Sequence, residues 1–295
     1  MRTMSILAVV FVLITAIPEA AQAEGESGFQ LKLFGGASYH LLGDFSECLK
    51  GWNDGVEASP YSHIENGEFS PFHLGGEFGV EVLLPIKRRL GIGLGTGLVL
   101  TGKESLRVSA LKSAKLAPYE FYEEKLNPGV RAIPITLSLH LDVYSHNRLN
   151  ISAIGGVGLY FGTVRWKYQY SKKSSTELYK ESWTGTSGGL GLHGGVELEF
   201  KINRRLGFFI EGMGRYARLT GFQGDFLAGG KTEEDALLWY TEWGQFPGFV
   251  IDADEPTGGI YENVRKAVID LSGFSVRVGL KVRWGDEKPK QVQCP

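Results

Sequence analysis

Past residue 17 the chain has no apolar run that approaches the roughly 20 residues a bilayer-crossing helix needs. A membrane protein built from helices is thereby excluded. Charge of one sign is lacking too: 31 Lys and Arg stand against 33 Asp and Glu, for a net charge of −2. No basic excess calls for nucleic acid or an anionic membrane surface. Cysteine is nearly absent, with only Cys48 and Cys294, so a disulfide-rich scaffold is excluded. No internal repeat and no low-complexity tract is present.

What is present begins with a leader. Arg2 precedes the uncharged stretch Ile6–Ile17, Pro18 breaks it, and Ala21-Gln22-Ala23 forms a small-x-small cleavage signal before Glu24. This predicts a secretory signal peptide over residues 1–23. Forty-one glycines and 12% aromatic residues suit tightly curved strands with aromatic rings at lipid–water boundaries.

The dominant signal is period-2 alternation, which gives each face of a strand its own set of side chains. Leu74, Gly76, Phe78, Val80, Val82 and Leu84 alternate with Gly75, Glu77, Gly79 and Glu81. Eight such segments are predicted: Phe29–Leu41, Phe72–Leu84, Leu90–Leu100, Val130–Tyr144, Leu149–Lys167, Gly189–Ile202, Leu206–Thr220 and Ala267–Trp284. The run Gly91, Gly93, Gly95, Gly97 keeps strict period 2 with no following helix, so it is a row without side chains and not a nucleotide fingerprint. Pro134 interrupts an alternating segment and cannot donate to a ladder. A bulge or a locally unpaired position near the outer end is expected to absorb it.

Gap lengths alternate as well. Ile86–Arg89, Ser145–Arg148 and Asn203–Arg205 are tight and basic, whereas Leu42–Pro71, Thr101–Gly129, Tyr168–Gly188 and Gly221–Lys266 are long. Short turns on one side and long loops on the other are the asymmetry of outer-membrane barrels. The predicted fold is therefore all-β: an eight-stranded antiparallel transmembrane β-barrel over residues 24–284, with long extracellular loops, short periplasmic turns and a polar periplasmic tail at 285–295. Cys48 then lies outside and Cys294 inside, too far apart to bridge. Loop four is the one gap where a helix or an extra hairpin is expected, the helix over Thr232–Tyr240.

Arg131-Ala132-Ile133-Pro134-Ile135-Thr136-Leu137, the pair Leu192–Phe200 and Leu206–Glu211 around a tight turn, and Arg277-Val278-Gly279-Leu280-Lys281-Val282-Arg283-Trp284 resemble the small eight-stranded bacterial outer-membrane barrels of the OmpX, OmpW and OmpA-barrel type. The last of these resembles their C-terminal insertion signal, although 11 residues, Gly285–Pro295, follow it. The resemblance implies outer-membrane lipid and the barrel assembly machinery as partners, and a monomer. It transfers no reaction, because that class ranges from inert anchors to pores, adhesins and lipid-modifying enzymes.

The inward phase carries His73, Glu77, Glu81, His140, Asp142, His193, Glu197, Glu199, Glu211, Arg215, Arg277, Lys281 and Arg283. Eight strands enclose a space that side chains fill. An ionic network centred on Glu77, Glu81, Glu211, Arg215 and Arg277 is expected to close it, with a narrow solute path as the alternative. Inward-facing His40 and His73 could meet near the outer mouth, but two histidines make a weak metal site, so no metal or cofactor is predicted. No motif supports an acyl-transfer set built from loop residues such as His63 with Asp44 or Asp54. Loop four is unusually apolar over Leu237–Ile251. Trp239, Tyr240, Trp243 and Phe246 are the candidate ligand-binding residues there, and a lid over the barrel is the competing reading. The function expected is that of a non-enzymatic envelope protein, structural or binding through its outer loops.

Overall fold

The computed structural model describes residues 28–87, 89–112, 118–173 and 178–284. The expected signal peptide, the tail at 285–295 and Cys294 lie outside them. Among the described residues sixteen strands and one helix follow one another: β1 (Phe29–His40), α1 (Asp44–Ala58), β2 (Ser62–Gly67), β3 (Leu74–Lys87), β4 (Leu90–Gly102), β5 (Ser105–Leu111), β6 (Glu120–Leu126), β7 (Gly129–His146) and β8 (Leu149–Lys172), then β9 (Leu178–Lys201), β10 (Leu206–Thr220), β11 (Gln223–Ala228), β12 (Lys231–Trp243), β13 (Phe246–Asp252), β14 (Glu262–Lys266), β15 (Val268–Asp270) and β16 (Gly273–Trp284).

Eight of the strands close on themselves. The antiparallel order β1-β3-β4-β7-β8-β9-β10-β16 returns to β1 through the pairing of Phe29 with Trp284 and His40 with Gly273. These are the eight segments the alternation singles out. Period 2 sets their faces: along β10 every second residue, from Gly207 to Leu219, is buried and the others are not. Pro134 is accommodated by a local gap. The β4–β7 ladder skips Gly97 and Leu98 between the pairs Thr96–Ile135 and Val99–Ala132, and Thr96 Oγ1 donates to the Pro134 carbonyl at 2.9 Å.

The long gaps are not irregular loops, and this corrects the eight-strand expectation. β8 and β9 run well beyond the ring as paired ribbons, Trp166 opposite Trp183 and Tyr170 opposite Tyr179. β6, β5 and β2 add in turn to β8, while β11, β12 and β13 add to β9. Of the two alternatives for loop four the hairpin is the one formed: Thr232–Tyr240 is strand and not helix, because Gly229 and Gly230, at φ 55° and 80°, form the two-residue turn that pairs Ala228 with Lys231. The helix lies instead in the first gap, at Asp44–Ala58, with Asp44 and Glu47 in its first turn, where the helix dipole favours acids. It rests on both β13 and β2, the two edges of this outer sheet. An apolar core fills the space between, including Phe45, Phe72, Trp166, Trp183, Leu219 and Phe222.

Candidate functional site

The ring is apolar on its outside and charged on its inside. Leu137, Leu159 and Val278 are about half exposed on the outer face. Two aromatic pairs bracket this face: Phe29 stacks on Trp284 at 4.8 Å near the short turns, and Tyr39 on Phe274 at 5.5 Å near the other end. Tyr39 lies ten positions along β1 from Phe29, about 33 Å along the strand. A tilt of about 40° reduces that to about 25 Å, the height of a lipid-facing band. Beyond it the outward positions of β8 become Arg165 and Lys167, both exposed.

Inside, side chains from five strands form one chain of alternating charge. It starts at the long-loop end, where Arg215 Nη1 (β10) meets Glu77 Oε1 (β3) at 3.1 Å. Glu77 also binds Arg277 (β16), whose Nη1 reaches Glu211 Oε1 at 2.9 Å. From Glu211 the chain passes to Lys32 Nζ (β1) at 2.6 Å. Lys32 additionally holds Glu197 (β9) at 2.8 Å and Glu81 at 3.1 Å. Lys281 then binds Glu197 and, at 3.2 Å, Glu199, which takes Arg283 at the short-turn end. Five carboxylates thus face five cations.

Register explains why Lys32 is the hub. It sits opposite Glu81 on one side and Lys281 on the other, while Glu197 and Glu211 oppose each other on β9 and β10. Two like-charged pairs across adjacent strands would repel; interleaving them turns both into attraction. The expected set Glu77, Glu81, Glu211, Arg215 and Arg277 therefore forms ion pairs, but around Lys32 and Glu197. Lys32 was legible only as a polar-face residue of the first strand. Glycines make the room: a Cβ on Gly93 would lie 2.2 Å from the Glu81 carboxylate, and one on Gly156 would lie 2.7 Å from the His193 ring.

Little empty space is left. A void of about 30 Å³ beside Glu77, Glu81, Ser138, Tyr160 and His193 has room for about two waters. Above it the inward phase turns apolar through Val99, Val130, Ala132, Tyr160 and Val164, continuous with the outer core. Below it a polar vestibule of about 390 Å³ opens at the short turns.

The histidines do not converge. His40 contacts Ser38 Oγ at 2.8 Å and the Leu271 carbonyl; the His73 ring meets the His40 backbone carbonyl at 2.8 Å and stacks on Tyr39. His140 binds Glu81 at 3.0 Å. The loop residues are likewise scattered: His63 pairs with Glu65, and Asp44 with Arg265.

Of the loop-four candidates, Trp239 and Tyr240 are buried. The Trp239 indole donates to the Asp252 carbonyl at 3.1 Å, and Arg265 lies 4.1 Å above the Tyr240 ring. Burial, aided by the hydrogen bond to Glu242, pushes the Tyr240 hydroxyl pKa up. Trp243 is exposed at the tip of the β12–β13 hairpin. Phe246 is half-buried beside Gly55 of α1. Two of these four residues belong to the core of the outer sheet and two to its rim.

No protein-family model matches the chain, and no curated protein matches it. Among solved structures it is similar to a major outer membrane protein from Thermus thermophilus, at 13% identity over 88% of this chain and 99% of that one, with a TM-score of 0.39. It is also similar to the outer membrane protease OmpT from Escherichia coli, at 8% identity over 90% of this chain and 100% of that one, with a TM-score of 0.28.

Proposed function

We propose that this chain is a non-enzymatic outer-membrane β-barrel protein, closed to solutes, whose outer sheet carries recognition. The observation that carries this reading is the inverted ring: apolar side chains outside between two aromatic belts, and a neutralised ionic chain inside. In hydrocarbon every backbone polar group must be satisfied internally, so a spanning sheet has to close. A soluble barrel would place its apolar face inward. The ionic chain and the apolar seal above it support a closed lumen over the narrow-pore alternative. The last strand, Gly273–Trp284, is the segment offered to the assembly machinery, and the hairpin end with exposed Trp243 and half-buried Phe246 is the part of loop four left for a ligand.

Membrane fractionation tests the reading. The protein should resist extraction by high salt and require detergent; release by salt alone would overturn it. A planar bilayer containing the purified protein should stay silent, whereas discrete conductance steps would establish the pore instead.

A further inference from the structure

We infer that the short-turn end of the ring holds a binding site for a phosphate group, in the cleft between the turns at 147–148 and 202–205. This cleft, of about 310 Å³, is lined by Arg148, Lys201, Ile202, Asn203, Arg204 and Arg283, so four of its six walls are cationic. Lys201 and Arg283 also line the adjoining vestibule, to which Lys87 and Arg89 add two more positive charges. Among the described residues acids do not balance them. Asp142, in the vestibule, accepts from Asn150 at 2.9 Å and Ser152 at 2.7 Å. Glu199 is shared by Lys281 and Arg283. Among the described residues Arg148, Lys201 and Arg204 form no ion pair, and Arg283 keeps a buried Nη1 without a partner.

The backbone holds these cations in place. Lys201 N donates to the Arg148 carbonyl at 2.7 Å and Arg283 N to that of Arg205 at 2.8 Å. Asn203 Oδ1 accepts from the amides of Arg205 and Leu206 at 2.8 and 2.9 Å, which orders the turn. Like charges crowded in a concave site focus a positive potential, and an anion relieves their repulsion. Three guanidinium groups and an ammonium offer more donors than the two oxygens of a carboxylate accept, whereas a phosphate presents three or four oxygens to planar forks. Arg283 immediately precedes Trp284 of the aromatic belt, which puts the cleft at the level of lipid head groups. Its phosphate can thus belong to a phospholipid or to a soluble ester.

The test uses the folded full-length protein in detergent, titrated with inorganic phosphate in a calorimeter, and the same protein incubated with phosphatidylglycerol and analysed by native mass spectrometry. Arg148→Gln/Arg204→Gln is the variant, since neither residue belongs to the ionic chain. Saturable phosphate binding that weakens by about tenfold or more in the variant and in high salt establishes a site open to soluble phosphate. Retention of a single phosphatidylglycerol, lost in the variant while inorganic phosphate gives no heat, establishes a lipid site. Absence of binding in both arms, or binding that the variant keeps, overturns the inference. The phosphate arm needs only the folded ring, so its failure is distinct from salt extraction of the protein, which would count against the membrane reading alone.

Discussion

Lys32 is held by carboxylates from three strands and is 1% exposed, so its removal takes one counter-ion from each of Glu81, Glu197 and Glu211 and leaves the facing Glu197 and Glu211 with only Lys281 and Arg277. Breaking a buried pair costs about 3–5 kcal/mol. Lys32→Met should therefore lower the unfolding free energy of the protein in micelles, read from its urea transition, by that order, and Arg277→Ala should do the same through Glu77 and Glu211. Adding Glu211→Gln to Lys32→Met should restore part of the loss, and strict additivity would show that the two residues are not coupled. Gly93→Ala should also destabilise, because its Cβ would occupy the place of the Glu81 carboxylate; an unchanged midpoint would contradict that packing. Alternation along the chain identifies which residues face inward, so Glu81 and the glycine row were readable. The hub was not, since period 2 assigns a face but not which side chains reach each other across the ring.

At the scale of elements, α1 is tied down by a clamp. Asp44 accepts from both Arg265 guanidinium nitrogens, at 2.5 and 2.7 Å, and from the Val268 amide at 2.7 Å. Behind the clamp lies Cys48, whose thiol pKa burial pushes well above its usual value, with Asp44 and Glu47 adding to the shift. The thiolate is the reactive form, so in a Cys294→Ser background Cys48 should resist maleimide until the protein is denatured. Asp44→Asn should raise its labelling rate while leaving the ring's thermal transition in place; fast labelling of the parent would mean that the helix is not docked. This helix escaped the sequence reading because Gly51 and Gly55 depress helix propensity. Gly51 is explained only by tertiary packing, for its Cβ would strike the backbone of Pro247 at 2.3 Å. Thr232–Tyr240 misled in the opposite direction: its local pattern suits a helix, but the Gly229-Gly230 turn delivers it to β11.

For the whole molecule, the eight-membered ring was legible because eight segments alternate in phase and their gaps alternate in length. Its outer sheet was not, since strands of five to seven residues such as β2, β11 and β14 are too short for a convincing period. Topology is open to direct test. A protease site inserted in the 244–245 turn should be cut in intact cells and one at 203–205 should not; the reverse pattern would invert the orientation.

The position of α1 has a consequence for how the molecule meets its own copies. An exposed strand edge is a template on which another chain can add, and the outer sheet has two such edges, β2 and β13. Both are occupied from within. The Ile64 amide of β2 donates to the Glu57 carboxylate of the helix at 2.7 Å, and Ser62 Oγ donates to the Val56 carbonyl at 2.6 Å. On β13, Pro247 has no amide hydrogen to offer and lies flush against Gly51. One helix therefore stands where the first strand of a neighbour would dock; in the membrane role proposed for this chain, this lets a wide sheet beyond the lipid-facing band stay solitary in a crowded two-dimensional surface.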